Sequence, residues 1–223
     1  MSSLLQNTLT KLLYICIKIK KQMNLVEYIN KGLTYENYIV RVEDDLENEI
    51  ENDDPKEYVQ YYALGLQRMN RIFKTFKLSP VQEKRIQSTA NNLKFLIITE
   101  GWCGDASQIL PVVEKLANAL NSSTHYILRD ENMELMEKYK TNGALSIPII
   151  IGVNENNEEI FRFGPRPKVG MDMLARFKSN PDIYSADDFH EDLQRYYNEN
   201  KGEDIVNEIL DLIDENLINE TID

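Results

Sequence analysis

The periodicity of the sequence changes at Leu93. Upstream, apolar residues recur at helical spacing, but Lys94–Thr99 (KFLIIT) is an unbroken run of mostly β-branched and aromatic side chains. Such a run reads as a buried strand, and the downstream segments keep alternating between the two periods. Asp105 to Leu120 reads as a helix with Ile109, Val112, Val113, Leu116 and Leu120 on one face. His125–Arg129 is expected to be a second strand, Asn132–Lys140 a short helix and Ile149–Val153 a third strand. A turn at Asn154-Glu155-Asn156-Asn157 leads into Glu159–Phe163, which pairs back as a hairpin. Gly164-Pro165-Arg166-Pro167 ends that strand, and a helix is expected over Val169–Lys178. The order β-α-β-α-β-β-α defines an α/β class.

Helical text flanks this middle. In Lys56–Phe76 the apolar positions Tyr62, Leu66, Met69, Phe73 and Phe76 step by four and three, with Asp53-Asp54-Pro55 supplying start chemistry. Ser79-Pro80 starts a second helix, expected to end near Asn91. The acidic run Glu43–Asp54 reads as a solvated loop or helix end. Beyond Pro181, Ile205, Ile209, Leu212, Ile213 and Leu217 form one stripe that must pack on something. The expected organisation is therefore a helical N-terminal extension over 23–91, an α/β domain over 92–180 and an acidic helical extension over 181–223. Residues 1–22 are set apart as a disordered or non-native segment, with translation expected to start at Met23.

Charge narrows the classes of partner. The chain has 25 Lys and Arg against 37 Asp and Glu, a net −12, and residues 183–223 alone contribute −11. Nucleic acid is excluded as an expected partner, because phosphate recognition concentrates positive charge. The acidic tail reads as a solubility feature or a surface for a protein partner or self-association. Two cysteines and two histidines in 223 residues give no zinc-type cluster, so no metal or cofactor is expected. No apolar run approaches the roughly 18–20 residues that span a bilayer, so no membrane association is expected. Lysines after the apolar stretch Leu12–Ile17, with no small-residue cleavage site, argue against a secretory leader. The expected location is the cytoplasm.

The chemistry-bearing segment is Trp102-Cys103-Gly104-Asp105-Ala106, between the first strand and its helix. A cysteine at a helix start faces free N–H groups and the positive end of the helix dipole, which favour ionisation below the usual ~8.5. The thiolate is the nucleophile of disulfide exchange. Asp105 is a good cap or first-turn residue, yet its charge opposes the thiolate. The sign of the net effect is open at this level.

Four features in register make the chain resemble the thioredoxin family, in a form with a degenerate active site. Trp102-Cys103-Gly104 follows a buried strand, and Pro111 stands eight residues after Cys103. Gly143-Ala144-Leu145-Ser146-Ile147-Pro148 leads into the third strand, and Gly164 closes the hairpin strand. The resemblance covers about residues 92–180. It implies a thioredoxin-like fold, with a mixed sheet of about four strands and flanking helices, carrying N- and C-terminal helical extensions. It also implies a cis peptide at Ile147-Pro148, lying against Cys103 and presenting backbone groups to a substrate segment.

The departures set the expected chemistry. Ala106 occupies the place of the second cysteine of a Cys-x-x-Cys pair, so a dithiol cycle is not expected. Ile97 replaces an acid that family members often bury in the first strand. Glu100 is a candidate proton acceptor, although a surface residue at a strand end is its default reading. Cys16 reads as inert, and Tyr61, Tyr62, Tyr196 and Tyr197 as packing residues. The expected activity is single-cysteine thiol–disulfide exchange by Cys103 on protein disulfides or low-molecular-weight thiols, with an external thiol for resolution. The alternative is a non-catalytic binding protein, adaptor or thiol sensor on the same fold.

Overall fold

The structure is a computed structural model describing residues 25–51, 58–89 and 92–220, with side chains placed as far as residue 216. Its centre is a four-stranded sheet of β1 (Lys94–Thr99), β2 (Ser123–Leu128), β3 (Ile149–Val153) and β4 (Glu159–Phe163) in the order β2-β1-β3-β4. β1 pairs parallel with β2 and antiparallel with β3, which pairs antiparallel with β4. Phe95, Leu96, Ile97 and Ile98 are completely buried. Successive side chains point to opposite faces, so β1 is covered on both. Phe95 meets Phe161 edge-on at 5.6 Å. Only a glycine fits at 152, where a Cβ would stand 1.9 Å from the Phe161 ring.

The helices, in chain order, are α1 (Leu25–Lys31), α2 (Tyr35–Glu51), α3 (Val59–Thr75), α4 (Pro80–Ile86), α5 (Gly104–Ala119), α6 (Met133–Lys138), α7 (Lys168–Ser179), α8 (Ala186–Asn200) and α9 (Glu203–Glu220). The central helix α5 buries Ile109, Val112, Val113 and Leu116 as its sequence stripe predicts. The acidic run is the C-terminal half of α2 as far as Glu51. The remaining acids of that run, the Asp53-Asp54-Pro55 start signal, Cys16 and Met23 lie outside the described residues. Ser79 caps α4 in a capping box with Gln82, but the helix stops at Ile86, short of Asn91.

The extensions pack directly on the sheet and on α5. Leu33 exchanges two backbone hydrogen bonds with Tyr126 of β2 (2.9 and 2.8 Å), so the chain after α1 closes that sheet edge with a single bridge. α3 lies on α5, and α9 lies against β4, α5 and α4. Ile205, Val206, Ile209, Leu210 and Ile213 are each at most 1% exposed. Each such side chain stabilises the fold by about 1.5–3 kcal/mol. No helix among the described residues is long and apolar enough to cross a membrane.

Candidate thiol site

The turn between β1 and α5 is shaped by the N-terminal helices. A Cβ at Gly101 would stand 2.7 Å from Tyr62 of α3 and 2.9 Å from Val42 of α2, so the backbone runs close beneath both helices. Beyond that turn Cys103 donates its N–H to the Glu100 carbonyl (3.2 Å) and accepts the Ser107 N–H on its own carbonyl (3.1 Å). It is thereby the N-cap of α5, with φ −76° and ψ 117°. The Cys103 thiol donates to the Ile147 carbonyl at 3.4 Å. The Ile147–Pro148 peptide is cis, so Cys103, Ile147 and Pro148 form one cluster although 44 residues separate the first two.

Electrostatics at the sulfur are decided by water exclusion. Cys103 is 8% exposed. Burial pushes its thiol up to about 12 and the Asp105 carboxylate adds to this, while the N–H groups of Ala106 and Asp105 and the Arg166 charge pull the other way. The helix start is therefore present but outweighed, and the thiol is protonated at neutral pH.

Asp105 is the charged partner of the site. Its side chain is 10% exposed, and Arg166 Nη2 pairs with Oδ2 at 2.6 Å. Tyr197 Oη donates to Oδ1 at 2.8 Å. Burial still pushes the Asp105 carboxyl above its usual range, against the pull of these two partners. Arg166 follows a second cis bond, Gly164–Pro165, and sits 5.6 Å from the Phe189 ring. Tyr197 and Phe189 both belong to α8, so the C-terminal extension reaches the thiol site. The sequence reading missed Arg166 and Tyr197. Arg166 sits in a Gly-Pro-Arg-Pro turn and Tyr197 in a tyrosine pair, neither of which signals contact with a residue as far off as Asp105, 92 positions from Tyr197.

Glu100 corrects an expectation. It is 6% exposed rather than at the surface, because α2 and α3 cover the end of β1. Its Oε1 accepts the Asp130 N–H at 2.8 Å. Burial pushes its carboxyl up to about 7, with the Asp130 and Asp45 charges adding to it and the Asp130 N–H and Arg129 opposing. The side chain lines a cleft of about 190 Å³ with Arg41, Asp45, Tyr62 and Trp102. Its hydrogen bond points to the end of β2, and it is the Glu100 backbone that touches Cys103. Trp102 lies between Tyr58 (5.7 Å) and the Arg129 guanidinium (4.8 Å). Arg129 also donates to the Leu145 carbonyl at 3.3 Å, tying Trp102 to the loop before Ile147. Ala106, in the place of a second cysteine, is 1% exposed, and Gly104 has open space above it. Among the described residues no group of three His, Cys, Asp or Glu is arranged to hold a metal ion.

A β-α-β unit joined to an antiparallel hairpin, with a helix start facing a cis-proline turn, defines the thioredoxin-like class. The chain belongs to the thioredoxin family, whose model matches residues 52–178. No curated protein sequence matches it significantly. Two solved structures share its fold. One is a Pseudomonas aeruginosa protein of unknown function, with 14% identity, 87% of this chain and 99% of that chain covered, and a TM-score of 0.62. The other is an HIV epitope scaffold, with 14% identity, coverage of 85% and 97%, and a TM-score of 0.59. Coverage this wide takes in helical flanks as well as the sheet.

Proposed function

We propose that the protein is a single-cysteine thiol–disulfide oxidoreductase of the cytoplasm, acting on protein disulfides or low-molecular-weight thiol adducts. The observation that carries this reading is the Cys103 thiol at the start of α5, 3.4 Å from the Ile147 carbonyl beside Pro148. On this reading Cys103 is the nucleophile, and the backbone around Ile147 and Pro148 pairs with an extended substrate segment. Deprotonated Cys103 attacks one sulfur of the substrate disulfide. A Cys103–substrate disulfide forms, and the other sulfur leaves as a thiolate that takes up a proton. An external thiolate then attacks the substrate-derived sulfur of that mixed disulfide, expelling the Cys103 thiolate, and the second half of the substrate leaves as a disulfide with the external thiol. Ala106 cannot perform this second step. A thiol that is 8% exposed and pushed up to about 12 reacts slowly at rest, so the packing over it has to open for exchange to proceed.

The same burial supports a second reading, a binding protein on this fold in which Cys103 is only a packed side chain. A glutathionylated peptide and reduced glutathione, given to a Cys16→Ser background, separate the two. The oxidoreductase reading expects catalysed release of the peptide thiol, a Cys103–glutathione adduct in the intact mass when reduced glutathione is withheld, and loss of both in Cys103→Ser. Release no faster than the uncatalysed exchange, with Cys103 recovered unmodified, sinks it in favour of the binding protein.

A further inference from the structure

A second cavity, separate from the Glu100 cleft, is lined by residues of α5. It has a volume of about 450 Å³ and sits between the end of α3, α5 and the α8–α9 turn. That volume falls in the range of roughly 300–1,000 Å³ typical of small-ligand sites. One wall is apolar, made by Ile72, Phe76, Val112 and Ile205. Two cations, Lys77 and Lys201, stand at it, and no Asp or Glu lines it in a chain of net charge −12. The Glu100 cleft shows the reverse composition, with five carboxylates and one arginine. Neither lysine has an ion-pair partner among the described residues, whereas Lys140 and Lys168 both pair with neighbouring carboxylates.

The turn that carries Lys201 is fixed by its backbone. Lys201 has φ 52° and Gly202 φ 86°, and a Cβ at Gly202 would stand 2.7 Å from Val112. The reversal between α8 and α9 is therefore pinned onto α5, which holds the Lys201 stem at the cavity. From these observations we infer that this cavity binds an amphipathic organic carboxylate, its chain along the Ile72–Phe76–Val112–Ile205 wall and its charge between Lys77 and Lys201.

The cavity shares a residue with the thiol site. Tyr197 lines it and spends its hydroxyl on Asp105, two residues from Cys103. Gln108, also in the lining, donates to Gln194 of α8 at 3.3 Å. A ligand that presses on Tyr197 is felt at Asp105 and hence at the sulfur. Binding itself requires no chemistry at Cys103.

Titration of the full chain with sodium octanoate, followed by calorimetry and amide NMR shifts, tests the assignment. The expected result is saturable one-to-one binding, with shifts centred on residues 72–77 and 197–205 and equal affinity in Cys103→Ser. The Lys77→Met/Lys201→Met pair keeps both aliphatic stems and is expected to weaken binding at least tenfold. Thr75→Trp, which fills the cavity beside an exposed helix position, is expected to abolish it without changing Tm. Absence of saturation, equal binding of 1-octanol, or equal binding of acetate each overturns the proposal. Octanoate is further expected to change the Cys103 alkylation rate at least twofold in the parent protein and not in the lysine pair. An unchanged rate at saturation overturns the link to the thiol. Because binding is read in Cys103→Ser as well, its failure is distinguishable from failure of the oxidoreductase reading.

Discussion

Cys103 is bounded on one side by the β1–α5 turn with Ile147–Pro148, and on the other by helices from the two extensions, and the two sides act on its sulfur in opposite directions. The turn offers the N–H groups of Asp105 and Ala106, which favour the thiolate. The extensions remove water, with Val42 and Tyr62 pressed on Gly101 and Tyr197 anchored to Asp105. Removal of water wins, and the thiol is pushed up rather than down. A helix-start cysteine is thus a geometry, and its reactivity is set by what is packed over it.

The comparison breaks most readily if the extensions are separable from the sheet. Ending the chain at Asn180 removes Ile205, Val206, Ile209, Leu210 and Ile213, all essentially buried. At about 1.5–3 kcal/mol each, their loss matches the ~5–15 kcal/mol by which a typical domain is stable. The truncated chain is expected to show no cooperative thermal transition by circular dichroism. A sharp transition with native-like signal would mean that the sheet stands alone and that burial of Cys103 is an optional addition.

The Glu100 carboxyl sharpens the same contrast with an acid in place of a thiol. Burial raises it from 4.5 to about 7, so the folded state holds this proton more tightly than the unfolded state. Its contribution is fully present below pH 4.5 and is lost as pH rises through 7. The cost above pH 7 is at most roughly 3.5 kcal/mol. Glu100→Gln keeps an oxygen for the Asp130 N–H, so the variant is expected to be more stable than the parent at pH 8 and to lose that advantage at pH 4.5. Urea denaturation at the two pH values measures it. An advantage independent of pH would mean that burial by α2 and α3 does not govern the group.

Local pattern explains what was legible in the sequence. The β1 run, the α5 stripe and the glycine-to-Ile147-Pro148 approach are short-range signals, and they locate the sheet, its central helix and the cluster around Cys103. The rest depends on how distant helices dock. Glu100 reads as a strand-end residue until α2 and α3 are laid over it. Tyr197 reads as one of a packing pair, yet its hydroxyl is committed to a carboxylate 92 residues earlier. The opposing effects on the thiol could be named from Cys103 and Asp105 alone, but their balance could not, because desolvation is a property of the assembled layers.

That balance leads to the smallest expected effect. Asp105→Asn removes the carboxylate that opposes the Cys103 thiolate and leaves the Arg166 cation beside the sulfur, both of which favour ionisation. Water exclusion is untouched, so the thiol stays raised, but alkylation by iodoacetamide at pH 8 is expected to be about tenfold faster than in the parent. Faster alkylation would also arise if the variant merely loosened α8, since Arg166 loses its partner and Tyr197 its acceptor. The pH profile tells the two apart. An electrostatic effect moves the pH at which the rate levels off to a lower value, whereas local opening raises the rate by one factor at every pH up to that of a free thiol. A profile lifted uniformly, with amide exchange in 186–200 faster by the same factor, would mean that Asp105 acts on Cys103 by holding the extension in place and not by its charge.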